Sequence, residues 1–213
     1  LAECYLYLER KPEALNAFKS ASEMEFDLKI KEDAFLNYAK LSYEQGNPYK
    51  SVAEVLQDFL TAYPKSEFYQ EINQLVVTSY LYQQDYQGAL DYLVKKNTKE
   101  NKELTKDVSY YRGVQLFNLK KLQEAHPFLV AGIESSDATI KNSSLYWKAE
   151  TDFQNSNFQQ SLDGFNLFKS TSGSSKLEEY QLIDYNIAYS FFKLKEYDKA
   201  AKSFTAFTSR AKD

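Results

Sequence analysis

Large apolar residues recur along the chain at helical spacing. In six places a small or compact residue is followed four positions later by a large apolar one, which puts both residues on one face of a helix. These pairs are Ala14 with Phe18, Val52 with Leu56, Ala89 with Leu93, Ala125 with Leu129, Ser161 with Phe165, and Ala200 with Phe204. The first members are 38, 37, 36, 36 and 39 residues apart, so the pattern predicts six copies of one unit.

Another compact residue stands about twelve positions before each of these marks and predicts a first helix in every unit. These residues are Ala2, Ala39, Val77, Gly113, Ala149 and Ala188, with Ala39 out of step by one because Pro48 indicates an insertion. We therefore predict twelve helices in antiparallel pairs and no sheet, with the first helix a remnant over about residues 1–8. Pro127 predicts a bend or a late helix start in the fourth unit.

Two units show the pattern of small and large residues most clearly. Their positions are Gly113, Leu116, Ala125 and Leu129 in one unit, and Ala188, Phe191, Ala200 and Phe204 in another. This pattern resembles the tetratricopeptide repeat. The resemblance implies an all-α fold, a right-handed superhelical solenoid of antiparallel helix pairs that covers residues 1–213 as one domain. The approximate units are 1–30 (truncated), 31–65, 66–102, 103–138, 139–175 and 176–213.

The two ends of the predicted array lack the features of natural ends. The first unit is truncated and no polar capping helix follows the last, so we expect these residues to be a fragment of a longer array. Self-association would then cover the bare end faces. Residues 63–66 and 145–150 are also similar to runs in bacterial cell-envelope repeat proteins. This narrower similarity favours a periplasmic or envelope-associated location over a cytoplasmic one.

Composition excludes several classes of chemistry. The chain has 18 Tyr and 15 Phe but only one His and one Cys, which cannot build a multi-ligand zinc site or an internal disulfide. His126 has no nucleophile or orienting group near it in sequence, and no glycine-rich phosphate loop is present. We therefore predict a protein that is not an enzyme and that uses no metal and no cofactor.

Charge and hydropathy narrow the class of partner. With 26 basic and 30 acidic residues the net charge is −4, and no basic block is present to bind a nucleic-acid backbone. The longest run without a charge, residues 72–84, is too short and too polar to cross a bilayer. A protein or peptide ligand is the remaining expectation, without nucleic acid and without direct membrane insertion.

The resemblance implies a concave groove lined by the first helices, so fixed offsets from each compact residue select candidate binding residues. Two aromatic ladders result. The candidates are Tyr43, Leu81, Tyr110, Phe117, Tyr146, Phe153, Tyr185, Tyr189 and Phe192. The tyrosines Tyr110, Tyr146 and Tyr185 are expected to be exposed, because a phenol offers a flat apolar face and a hydroxyl that stays hydrated. The phenylalanine ladder suits helix–helix packing equally well.

Inner positions of the groove distinguish ligand classes within the family. Chaperone-binding members hold a C-terminal carboxylate there with Lys and Asn, whereas this chain has Val114, Glu150 and Tyr189. This departure favours an apolar or aromatic segment. We expect a non-enzymatic protein–protein interaction module that binds a peptide or protein segment. Two alternatives are a structural scaffold segment of a longer envelope repeat protein and a peptide-sensing regulatory domain.

Overall fold

The computed structural model describes residues 1–25, 27–96 and 98–210, with Arg210 described by its backbone alone. Within these ranges the chain forms twelve α-helices and no strand, which confirms the all-α prediction. The helices are α1 (Ala2–Tyr7), α2 (Lys11–Ser22), α3 (Leu28–Gln45), α4 (Val52–Ala62), α5 (Tyr69–Tyr82), α6 (Tyr86–Lys96), α7 (Lys99–Asn118), α8 (Leu122–Ile133), α9 (Ala138–Gln154), α10 (Phe158–Ser170), α11 (Ile183–Lys193) and α12 (Tyr197–Arg210). Two short 3-10 helices, Ser174–Lys176 and Glu178–Leu182, lie between α10 and α11.

The chain divides into two compact units, Leu1–Ala89 and Leu90–Asp213, and the division falls inside α6. In the first unit each helix from α1 to α4 contacts the next one along the chain, and in the second each helix from α7 to α11 does so. First helices of neighbouring pairs also touch, namely α3 with α5 and α7 with α9. Contacts between successive and stacked pairs are typical of helical repeats.

Five of the helix pairs close with the same turn. Each of these turns has a residue other than glycine in the left-handed conformation, with φ between 55° and 64°. These residues are Glu9, Gln84, Lys120, Ser156 and Lys195. In every case this residue's amide donates to the carbonyl three residues back, and the following amide donates to the carbonyl five residues before itself. The two bonds form a Schellman motif, which satisfies carbonyls at the end of the first helix. Three residues separate the two helices in each of these turns.

The second pair has a longer turn, and it corrects the register of the repeat there. Gly46 (φ 83°) ends α3, and residues 47–50 form an extra loop before Ser51 caps α4. The fourth residue of α4 is therefore Val55, and Val55 is the buried counterpart of the alanine or serine at the fourth position of the other second helices. Val52, which the sequence alignment placed at that position, is only half-buried. The insertion is longer than the single residue expected at Pro48.

Small residues let the two helices of a pair approach closely, as predicted. In the fourth pair, a Cβ built on Gly113 would lie 2.7 Å from the Cδ2 of Leu129. In the fifth pair, a Cβ on Gly164 would lie 2.8 Å from the Cβ of Ala149. Both distances are shorter than van der Waals contact, so any larger side chain would push the helices apart.

Pro127 lies inside α8, which already begins at Leu122, so the late start predicted for this helix is wrong. Proline leaves the carbonyl of Gln123 without its usual amide donor. Both Gln123 and Pro127 are exposed, and water can hydrate that carbonyl.

Candidate functional site

Tyr146 lies in the core of the second unit instead of on a binding surface. It is 6% exposed and its ring centroid lies 5.7 Å from that of Phe165 and 5.4 Å from that of Phe168, both on α10. Its hydroxyl accepts a hydrogen bond from the Nδ2 of Asn186 at 3.0 Å, and burial raises the pKa of Tyr146 to about 12. The exposure expected for Tyr146 is therefore wrong, because α10 and α11 cover this position.

Phe117 is the second candidate that belongs to the core. It is 8% exposed and packs edge-on against Trp147, with ring centroids 5.2 Å apart. Tyr110 is half-buried in the same core, where burial raises its pKa. In the first unit, Tyr43 and Leu81 are also half-buried. None of these four side chains is freely exposed to a partner.

The four remaining candidates meet on one surface of the second unit. Tyr189 is central, with ring-centroid distances of 5.8 Å to Phe153, 5.7 Å to Tyr185 and 6.0 Å to Phe192. The rings of Tyr185 and Tyr189 are stacked with 24° between their planes. Tyr185 is 41% exposed and Phe192 is 48% exposed. We call these four residues the α9–α11 aromatic cluster.

Helical spacing explains how this cluster forms. Tyr185 and Tyr189 stand one turn apart on α11, so their side chains share a face. Tyr185 is held from its other side by α12, where Phe204 and Phe207 lie at ring-centroid distances of 5.9 and 5.7 Å. Aromatic contacts with α12 therefore fix the ring while leaving part of it exposed.

A cavity of about 250 Å³ opens beside the cluster, between α9 and α11. It is lined by Glu150, Phe153, Gln154, Phe165, Tyr185, Asn186 and Tyr189. The fully buried ring of Phe165 belongs to the core, so the cavity borders the core of the unit. The lining combines four aromatic rings with two amides and one carboxylate, a mixture typical of a site that binds and orients one side chain of a ligand.

Glu150 is the charged group of this cavity. Burial raises its pKa, and Lys120 acts in the opposite direction with a smaller effect. Glu150 forms no hydrogen bond and no ion pair with any other residue that the structure describes. A carboxylate in this position is partly desolvated and only weakly compensated.

A cation already lies against the cluster. The Nζ of Lys193 is 5.6 Å from the ring centroid of Tyr189 and 6.0 Å from that of Phe158. These distances fall within the range of cation–π interactions. The aromatic rings of this surface therefore accept a positive charge within the folded chain itself.

Sequence reasoning found the aromatic residues of the site but not its polar ones. Glu150 appeared there only as a departure from the carboxylate-binding pattern, and Gln154 and Asn186 were not singled out. Glu150 and Tyr189 each stand one residue after the compact residue of their helix, Ala149 and Ala188. The offset that selected Tyr189 as a candidate therefore also selects Glu150. It was missed because the pattern was searched for aromatic residues.

Across the described part of the chain, no group of three or more His, Cys, Asp or Glu side chains is placed to hold a metal ion. Among the described helices, none combines the length and the apolar character that crossing a membrane requires.

Comparison with known proteins supports the repeat. Residues 33–66 and 184–213 match the model of the tetratricopeptide repeat family. No curated protein matches the chain. A solved structure of MamA, titled the RS-1 ArsTM double mutant, superposes with a TM-score of 0.53 at 16% identity, covering 85% of this chain and 96% of that one. At this identity the likeness shows a common fold, and the second matched segment contains three of the four cluster residues.

Proposed function

This chain is a tetratricopeptide-repeat protein, and from that premise we propose that it binds a protein segment on the surface formed by α9 and α11. Repeats of this family generally form protein-interaction or scaffold modules without enzymatic activity. The observation that carries the proposal is the α9–α11 aromatic cluster, in which Tyr185 and Phe192 are more than two-fifths exposed. A contiguous patch of exposed aromatic side chains beside a cavity is typical of an interaction site.

The chemistry of the cluster suits a protein ligand. Tyrosine and phenylalanine contribute large, rigid contact area with little loss of side-chain freedom, and the tyrosine hydroxyl stays hydrated. A central aromatic contact commonly contributes about 1–3 kcal/mol, which corresponds to roughly a five- to hundredfold change in affinity. Two or three such contacts are enough for a specific, reversible complex.

A displayed library of random peptides provides the test. Peptides selected on the purified chain are synthesised, and their affinities are measured for the unmodified chain and for Tyr189→Ala and Phe192→Ala. Tyr7→Ala is the matched control, because Tyr7 is 89% exposed on α1 in the other unit. We expect both cluster variants to bind at least fivefold more weakly and the control to bind normally. Thermal unfolding of each variant checks that the fold is kept.

Equal affinity for all four proteins would exclude the α9–α11 surface as the binding site. Failure to select any peptide would favour the scaffold alternative, in which this surface contacts no short segment.

A further inference from the structure

The cavity beside the cluster is unusual for a purely apolar ligand site, because its wall contains Glu150 without a hydrogen-bonding partner among the described residues. An apolar side chain placed there would desolvate the carboxylate further and offer nothing in return. An anion would be repelled by the carboxylate and by the negative faces of the aromatic rings. A cation removes both difficulties, since it pairs with the carboxylate and is attracted to the rings.

The charges around Glu150 leave room for an added cation. Lys120 is the basic residue that acts on Glu150. The nearby phenol of Tyr146 is neutral at ordinary pH, as any tyrosine is, and burial raises its pKa further. The combined surroundings still raise the pKa of Glu150, so Lys120 does not fully compensate for burial. The ammonium of Lys120 also lies over the ring of Phe117 at 5.6 Å, away from a direct ion pair with the carboxylate.

The size of the cavity fits one long side chain. Its volume of about 250 Å³ is too small for a helix or a folded loop. The stem of a lysine or arginine side chain is apolar and packs well on aromatic faces while its charged end reaches a polar group. Tyr185, Tyr189 and Phe153 supply those faces beside Glu150.

We propose that this cavity binds a lysine or arginine side chain of the partner segment, with its stem against Tyr185 and Tyr189 and its cation on the carboxylate of Glu150. The inference rests on the proposed function, because the basic side chain belongs to the segment bound by the α9–α11 surface. The ligand expected from the sequence is an apolar or aromatic segment. With this cavity, the expected ligand is a segment in which one lysine or arginine stands among apolar residues.

The test uses two capped pentapeptides, Gly-Gly-Arg-Gly-Gly and its citrulline counterpart, which has nearly the same shape but no charge. Each peptide is titrated into the isotopically labelled chain, and amide chemical shifts are followed by nuclear magnetic resonance. We expect the arginine peptide to shift amides of α9 and α11 around residues 150–154 and 185–189, and to bind about tenfold more tightly than the citrulline peptide. Raising the salt concentration should reduce that difference.

Two substitutions separate charge at the cavity from net charge of the protein. Glu150→Gln should abolish the preference for arginine over citrulline, whereas Glu134→Gln removes the same charge from an exposed position in the same unit and should preserve it. The citrulline comparison needs no protein variant, so it remains valid if Glu150→Gln folds poorly. Equal binding of both peptides, or the absence of shifts around the cavity with the arginine peptide, would overturn the proposal.

The library peptides distinguish failure of this inference from failure of the proposed function. If they still require Tyr189 but tolerate citrulline in place of every arginine and acetyl-lysine in place of every lysine, the α9–α11 surface binds the segment and the cationic anchor is wrong. If they bind independently of Tyr189, the proposed function itself is wrong.

Discussion

The hydroxyl of Tyr146 accepts a hydrogen bond from the side-chain amide of Asn186 at 3.0 Å, joining α9 to α11 at the edge of the cavity. Both residues are buried. Tyr146 is therefore structural, whereas Tyr185, at the equivalent position of α11, is 41% exposed. The repeat places the two at equivalent positions, but only Tyr146 has a further helix pair stacked over it within the described residues.

Tyr146→Phe should lower the free energy of unfolding by about 1–2 kcal/mol, because it leaves the buried Nδ2 of Asn186 without an acceptor. Urea unfolding measures the change. Tyr7→Phe removes a hydroxyl from an exposed ring and should have almost no effect. If Tyr146→Phe were as stable as the unmodified chain, the hydrogen bond to Asn186 would contribute nothing measurable.

Stability at alkaline pH should also depend on Tyr146. Burial raises its pKa to about 12 in the folded chain, whereas an unfolded tyrosine ionises near 10. The folded state therefore holds this proton more tightly, so the contribution is complete below pH 10 and is lost as the pH rises through 12. Unfolding measured between pH 9 and 12 should show a steeper loss for the unmodified chain than for Tyr146→Phe. Parallel curves would contradict the assignment.

Local sequence rules predicted the helices well because each helix pair is specified by residues close together in the chain. The alternation of compact and large residues places Ala125 and Leu129 on one face, and the close contact of Gly113 with Leu129 confirms the predicted packing. The rules failed at the second pair, where the length of the 47–50 insertion moved the buried position from Val52 to Val55. An insertion changes register without altering the helical periodicity on either side of it.

The repeated left-handed turn offers a simple route to higher stability. Ser156 has φ 64° and only its backbone forms hydrogen bonds in the turn. Glycine adopts this conformation without the steric strain of a Cβ, and part of that gain is offset by its greater freedom in the unfolded chain. Ser156→Gly should therefore raise the free energy of unfolding by about 0.5–1 kcal/mol in thermal or urea unfolding.

Ser156→Ala is the control for this prediction. Alanine keeps the Cβ, so it should give no increase in stability. An equal gain from alanine and glycine would show that the left-handed conformation is not the cause.

Glu150→Gln should stabilise the chain at neutral pH, by an amount on the order of the 1 kcal/mol typical of single substitutions. The reason is that burial raises the pKa of Glu150, so its charged form is held at a net cost in the folded state. Any stability that Glu150 contributes is present below the ordinary pKa of a glutamate and is lost as the pH rises through the raised folded value. The advantage of Gln should consequently shrink in acid.

Urea unfolding at pH 7 and at pH 4 measures this effect, with Glu134→Gln as the exposed control. A less stable Glu150→Gln at pH 7 would show that the carboxylate has a stabilising partner. A more stable protein with weaker ligand binding would indicate that Glu150 is kept for recognition and not for the fold.

The candidate site was less predictable than the fold because burial depends on which helices cover a position. Periodicity places Tyr146 and Tyr185 at the same offset, yet α10 and α11 cover the first and leave the second exposed. The role proposed for Glu150 depends on the cavity between α9 and α11. The sequence pattern within a single helix cannot predict a cavity between two helices. Four of the nine candidates, Phe153, Tyr185, Tyr189 and Phe192, do come together.

The location of a bound segment tests the central claim most directly. Amide chemical shifts of the labelled chain are mapped with and without a peptide selected from the displayed library. We predict that the largest changes fall in the last turns of α9, at residues 150–154, and along α11, at residues 185–192. Changes concentrated in the first unit, with the amides of α9 and α11 unaffected, would contradict the proposed binding surface.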